Sequence, residues 1–221
     1  VFDLTLTFDN GPEPDVTPLV LDILGERGIK TTFFVIGEKL ADPARRRLAA
    51  RARDEGHWIG NHTYTHSNPL GEQPGADTAQ REIGRTEAAI GELAHPDRWF
   101  RPFGGGGNLD GRLLKPSVVD YLVHNKHSCV LWNAIPHDWD DPDGWTERAL
   151  AQCRAQPWTL LVLHDLPTGA MMHLDRFLDR VEAIGARFRQ DFPPPCVPIR
   201  NGEIALPIQA YVSSIEESER P

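Results

Sequence analysis

The chain opens Val1-Phe2-Asp3-Leu4-Thr5-Leu6-Thr7-Phe8 and then turns through Asp9-Asn10-Gly11-Pro12. The first eight residues are rich in apolar and β-branched types and read as a strand, and the next four have the chemistry of a sharp turn. A helical pattern follows over Val16–Arg27, then a second strand-like run at Thr31–Ile36. Strand, turn, helix, strand is the start of a βα repeat, and the pattern continues outward. Strands are expected at His57–Asn61, Trp99–Phe103, Cys129–Asn133 and Thr159–His164, with helices at Pro43–Glu55, Thr78–Leu93, Asp110–Tyr121, Trp145–Gln156 and Leu174–Arg189. Pro193-Pro194-Pro195 stops the last helix, and a short strand near Val197–Arg200 would close the fold. Such alternation predicts an α/β fold with a mostly parallel sheet. No internal repeat or linker divides the 221 residues, so one domain is expected over residues 1–206, followed by a polar tail over 207–221. Ser213–Pro221, polar and acidic, is expected to be loosely ordered.

Bulk composition narrows the function classes. The hydrophobic fraction is 40% and the charged fraction 25%, ordinary for a globular protein. The longest apolar run lies around Thr159–Leu163, far short of the roughly 20 residues a membrane helix needs, so no membrane span is expected. A net charge of −9 argues against nucleic acid as a partner, because phosphate binding draws on clustered Lys and Arg. The dense basic run Arg45-Arg46-Arg47, with Arg51 and Arg53, reads as a solvated helix face. Cys129, Cys153 and Cys196 are scattered and odd in number, which disfavours a disulfide framework. Nothing resembling a signal peptide precedes the strand-like opening; the compartment stays open, with a cytoplasmic reading slightly favoured.

The polar residues worth noticing cluster where the expected strands end. Asp9-Asn10 follow the first strand, His62 and His66 the third, Arg101 lies at the fourth, Asp138 beyond the fifth and His164 on the sixth. In parallel α/β barrels those ends converge on one face and carry the active site. Each piece also has a plain structural reading. Asp9-Asn10-Gly11-Pro12 makes a good turn on its own account. His62 and His66, four residues apart, can reach one metal ion or form an ordinary imidazole pair. The glycine run Gly104 to Gly107 lets backbone approach a ligand or simply flexes, and no Gly-Lys-Ser/Thr follows to make it a phosphate loop. His164, in Leu161-Val162-Leu163-His164-Asp165, could be a satisfied core histidine, with Asp138 in His137-Asp138-Trp139 a carboxylate able to orient it.

Taken together and in order, these segments resemble the five motifs of the NodB-homology polysaccharide deacetylases, carbohydrate esterase family four, over Leu4 to Asp165. The resemblance implies a distorted (β/α) barrel with about seven strands. It also implies metal-assisted hydrolysis of an acetyl amide or ester on a sugar or oligosaccharide. In that scheme Asp9 is the general base, Arg101 holds it, His164 is the general acid and Asp138 orients His164. His62 and His66 bind a divalent metal, zinc by preference with cobalt or another divalent ion possible, and Asn10 stands at the third ligand position. Phe103, Gly104, Trp139 and Leu163 (or Leu161) would line the substrate pocket, with a backbone N–H near Phe103 sharing the oxyanion's charge.

Two positions depart from the family pattern. The third ligand is an aspartate in the family; Asn10 supplies a neutral amide, so weaker metal binding or a shift in metal preference is expected. Arg101-Pro102-Phe103-Gly104 is shorter than the usual arginine motif, which is expected to alter the sugar subsite. The expected partner is an acetylated carbohydrate or a small amide substrate. The competing readings are a hydrolase of another small amide or imide with little metal dependence, and a non-catalytic ligand-binding relative.

Overall fold

Alternation along the first strand decides what lies inside the barrel. In the computed structural model, which describes residues 1–214, β1 spans Phe2–Asp9 and is buried on both faces from Leu4 onward. Leu4, Leu6 and Phe8 join the large apolar core on one face. Thr5, Thr7 and Asp9 occupy the other, because successive side chains of a strand point to opposite sides. Polar residues on the inner face mark an interior built to hold chemistry.

The other strands are β2 (Thr32–Val35), β3 (Trp58–Asn61), β4 (Trp99–Phe100), β5 (Ser128–Cys129), β6 (Trp158–His164), β7 (Ala186–Arg189), β8 (Ile199–Arg200) and β9 (Glu203–Ile204). The sheet runs β6-β1-β2-β3-β4-β5-β8-β9, parallel from β6 to β5 and antiparallel beyond. An isolated parallel bridge, Ala134 to Leu161, joins the chain after β5 back to β6. Asn133 reinforces it, its Oδ1 accepting the Leu160 N–H at 2.7 Å and its Nδ2 donating to the Trp158 carbonyl at 3.0 Å. The architecture is thus a distorted (β/α) barrel, as expected, although the sheet has nine strands rather than about seven.

Helices α1 (Thr17–Glu26), α2 (Pro43–Asp54), α5 (Trp145–Arg154) and α6 (Leu174–Ala183) supply apolar residues to the core outside the barrel; α3 is Arg85–Ile90 and α4 Pro116–His124. Trp145 is fully buried against Phe177 and donates its indole N–H to the Ala170 carbonyl at 3.0 Å. Burying side chains of this size stabilises by about 1.5–3 kcal/mol each. All three cysteines are buried and free. The basic face of α2 is laced with ion pairs: Arg45 to Glu13, Arg46 to Glu92, and Arg51 to Asp22 and Glu55. Among the described residues no helix is long and apolar enough to cross a membrane.

Three expectations need correction. The helix read over Asp110–Tyr121 starts at Pro116, whose fixed φ and missing N–H suit a first helical turn. Leu113 and Leu114 before it are buried, and Leu114 bridges Val212 instead. The helix read over Leu174–Arg189 ends at Ala183; Gly185, at φ 90°, turns the chain into β7, which pairs with the start of β1. The fourth and fifth strands are two residues each. Beyond residue 206, Ile208 is buried, and Ser213 donates its N–H to the Leu114 carbonyl at 2.9 Å. Residues 215–221, in the segment expected to be loose, lie outside the described residues.

One close contact in β3 governs the interior. A Cβ at Gly60 would sit 2.5 Å from the Phe34 ring, and the Arg101 guanidinium lies 4.1 Å above that same ring. Gly60→Ala is therefore expected to overpack the barrel and cost about 1–3 kcal/mol, read as a lowered melting temperature.

Candidate active site

Parallel pairing of β1 with β6 sets Asp9 directly beside His164. Both strands end there, so both side chains stand at the barrel mouth. Asp9 is 3% exposed and His164 8%, and both line the cavity at that mouth.

Each has its own partner. Arg101, fully buried just beyond β4, donates through Nη1 to Asp9 Oδ1 at 2.8 Å and to the Thr7 hydroxyl at 2.6 Å. Asp138 Oδ1 lies 2.9 Å from His164 Nδ1, and its Oδ2 accepts the His164 backbone N–H at 2.8 Å. Burial alone would drive the His164 imidazole toward neutrality, but the charges of Asp138 and Asp9 outweigh it and raise its pKa above the ordinary 6.5. With Nδ1 committed to Asp138, Nε2 is left as the position that carries or delivers a proton.

The two imidazoles after β3 converge. His62 Nδ1 lies 2.8 Å from the Arg101 carbonyl, an acceptor, so Nδ1 carries the proton and Nε2 is left with its lone pair. That Nε2 is 3.1 Å from His66 Nε2 and 3.5 Å from Asp9 Oδ2. Burial, aided by neighbouring positive groups, lowers the His62 pKa to about 3; burial and His62 itself lower His66 to about 2. Both rings are thus neutral near neutral pH.

Asn10 takes a left-handed φ of 75° at the end of β1, and its side-chain oxygen is buried without a hydrogen-bond partner. A buried acceptor left unmatched costs about 1–3 kcal/mol, which favours a ligand that would satisfy it. Two imidazole nitrogens held at about 2.0–2.1 Å by one divalent ion stand roughly 3 Å apart, close to the spacing observed. The residues therefore fit a divalent cation through two imidazoles and one amide oxygen. Among the described residues no three His, Cys, Asp or Glu side chains form a metal-holding group, and the Asn10 side chain beside the two imidazoles is a neutral amide.

A cavity of about 310 Å³ opens between these groups. Asp9, Asn10, His62, His66, Phe103, Gly104, Trp139 and His164 all face it, as read from the sequence. Trp139 stands edge-on to His164, ring centres 4.8 Å apart, and Phe103 packs against His66 at 4.2 Å. Leu163 does not line the cavity. It is fully buried in the core outside the barrel with Leu161, while Val162 takes the lining position, sharing a face with His164 two residues on. Counting strand parity back from His164 would have found Val162. Trp132, Ile135 and Leu166 also line the cavity and carried no sequence signal of their own.

A second group, behind Asn10, was not singled out. Asp165 is fully buried against Gly11, where a Cβ would fall 2.2 Å from its carboxylate. The Thr17 hydroxyl donates to it at 2.5 Å. Burial pushes this carboxyl up to about 7, although the Thr17 hydrogen bond pulls the other way. Lys39 donates to the Asn10 carbonyl at 2.7 Å and Arg45 to the Pro12 carbonyl at 2.6 Å, so the turn is held from both sides.

These environments give a pH test. In metal-free protein, His164 is expected to titrate above 6.5 and His62 and His66 well below it, read by histidine NMR. Because folding raises the His164 pKa, the stability it contributes is full below 6.5 and is lost as pH rises through the folded value. Asp138→Asn is expected to lower the His164 pKa and flatten that part of the stability–pH curve.

Known proteins resemble this chain in sequence and in fold. Residues 3–115 match the polysaccharide deacetylase family. A chitooligosaccharide deacetylase of Rhizobium leguminosarum bv. phaseoli is 37% identical over 169 residues, covering 73% of this chain and 67% of the relative. A peptidoglycan-N-acetylglucosamine deacetylase of Bacillus cereus is 29% identical over 191 residues, covering 84% of this chain and 66% of the relative. The chain thus spans about two thirds of the length of these curated relatives. A family 4 acetyl xylan esterase from Clostridium thermocellum, solved in complex with a cobalt ion, superposes with a TM-score of 0.68 at 26% identity, over 85% of this chain and 87% of that one. A family match across half the chain and a relative at this level of identity mean that the chain belongs to the polysaccharide deacetylase family.

Proposed function

We propose that this protein hydrolyses the acetyl amide of an N-acetylated sugar or oligosaccharide, with a divalent cation, zinc by chemistry, held by His62, His66 and Asn10. The observation that carries the reading is the side-by-side placement of Asp9 and His164, each hydrogen-bonded to a separate buried partner. An ionised base and a protonated acid at one pH are what acyl transfer to water requires.

A divalent ion held by His62, His66 and Asn10 would supply Lewis acidity to the acetyl carbonyl and the attacking water. Asp9, positioned by its hydrogen bond from Arg101, accepts the water's proton. The Phe103 backbone N–H contributes to holding the oxyanion that forms. His164 passes its Nε2 proton to the departing sugar nitrogen, and Asp138 keeps the ring in the orientation to do so. Val162, Trp132 and Ile135 provide an apolar lining for the acetyl methyl, and Trp139 presents a ring edge beside the acid.

A second reading has one observation in its favour. Two neutral imidazoles and a neutral amide give a cation no charge compensation beyond Asp9, which suits hydrolysis of another small amide or imide with little metal dependence. The two readings separate on acetate release from acetylated chitooligosaccharides with and without added Zn²⁺ or Co²⁺: metal-stimulated release supports the first, and none under any condition supports the second.

Two substitutions sharpen the test. His164→Ala is expected to lower kcat by about 10²–10⁴-fold with little change in KM, and a pure KM effect would refute the acid role. Asn10→Asp adds the missing negative charge and is expected to tighten zinc affinity; unchanged affinity by competition titration would count against the proposed ligand set.

A further inference from the structure

The segment that carries both imidazoles has an uneasy backbone. Thr63 at φ 69° and His66 at φ 50° both adopt left-handed conformations, which a non-glycine residue keeps only where its surroundings over-determine it. The over-determining group is Glu82. It is 4% exposed and sits in a five-residue π-turn, Gln80–Gly84, at the head of α3. Its Oε2 accepts the backbone N–H groups of Tyr64 and Thr65, both at 2.9 Å, and its Oε1 accepts the Thr65 hydroxyl at 2.8 Å. One carboxylate thereby pins the middle of the loop whose two ends are His62 and His66.

The π-turn helps it do so. With the Arg85 N–H bonded back to the Gln80 carbonyl, five residues away, the helix is locally widened. The Ile83 carbonyl accepts Asn61 Nδ2 at 2.9 Å, and the same Asn61 takes the Thr63 N–H on its Oδ1 at 3.1 Å. The Glu82 carbonyl accepts the Thr86 hydroxyl at 2.8 Å. Outside, the Arg85 guanidinium caps the Tyr64 ring at 3.8 Å. An ordinary salt-bridging surface glutamate would show none of this.

We propose that Glu82 is a positioning residue for the two imidazoles: it fixes the His62–His66 loop so that both Nε2 atoms meet at one point. The proposal rests on the reading of His62 and His66 as metal ligands. It acts by geometry rather than by charge. A glutamine here can accept both backbone N–H groups on its oxygen and donate its amide to the Thr65 hydroxyl, so it should serve nearly as well.

The experiment titrates Co²⁺ into metal-free full chain, following the cobalt d–d absorption, and measures amide exchange at Tyr64 and Thr65 in the metal-free protein by NMR. Glu82→Ala is expected to weaken Co²⁺ binding by roughly tenfold or more, to shift the absorption band and to speed exchange at both amides; Glu82→Gln is expected to restore all three. A folded Glu82→Ala protein that binds Co²⁺ within about twofold of the parent overturns the proposal, as does a Glu82→Gln protein as weak as the alanine variant. Should Glu82→Ala not fold, Thr65→Val, which removes one donor alone, takes its place: a weakening of about threefold or more is expected, and none overturns the idea. A parent that binds no Co²⁺ at millimolar concentration defeats the ligand reading instead, and exchange then decides the role of Glu82, faster exchange in the variant supporting it and unchanged exchange overturning it.

Discussion

The buried ion pair between Arg101 and Asp9 is the constraint around which the barrel interior is arranged. A guanidinium with no solvent exposure must find all its compensation inside. It does so with Asp9, the Thr7 hydroxyl, the carbonyls of Val130 and Leu131 and the face of Phe34. The same residue's backbone takes part: its N–H bonds to the Asn61 carbonyl and its carbonyl orients His62. One side chain thus ties β1 to the segment after β5, and the backbone of the same residue ties the end of β4 to Asn61 and to the His62 ring. Removing one partner of such a pair leaves an uncompensated charge in low dielectric, typically a loss of about 3–5 kcal/mol.

Around that centre lie further hydrogen-bonded supports. The Asn10-Gly11-Pro12 turn is gripped by Lys39 and Arg45 from outside and lies against Asp165 from within. Glu82 grips the histidine loop, and Asp138 grips His164 through both backbone and ring. Asp9, His62 and His164 therefore each have a buried, hydrogen-bonded partner of their own. That is how a site built at loop ends acquires the rigidity of the strands. Asn10 is the exception, because its side-chain oxygen has no partner among the described residues.

How much of this was legible in the sequence follows from range. β1, α1, β2, α2 and β6 came out within a residue or two, because long apolar alternations and helical patterns are local signals. The residues facing the cavity were legible too, since five short motifs in order resemble a family and strand ends converge in this fold. Leu163 failed on strand parity, which a motif match does not check. β7 was hidden inside a helical pattern, with Gly185 as its one local mark. β4 and β5 are too short to have a period, and they exist because neighbouring strands recruit them.

The sequence by itself determined the alternation, the ring of polar residues at strand ends and the neutral amide at Asn10, because each is a matter of residue type and spacing. Tertiary structure alone decided that Asp9 and His164 are neighbours, since register between β1 and β6 is fixed by packing over some 150 residues of intervening chain. It alone revealed Glu82, Asp165 and Val162. A buried carboxylate looks like any other acidic residue until the fold has taken its water away, and only then does its choice of partners become the most informative thing about it.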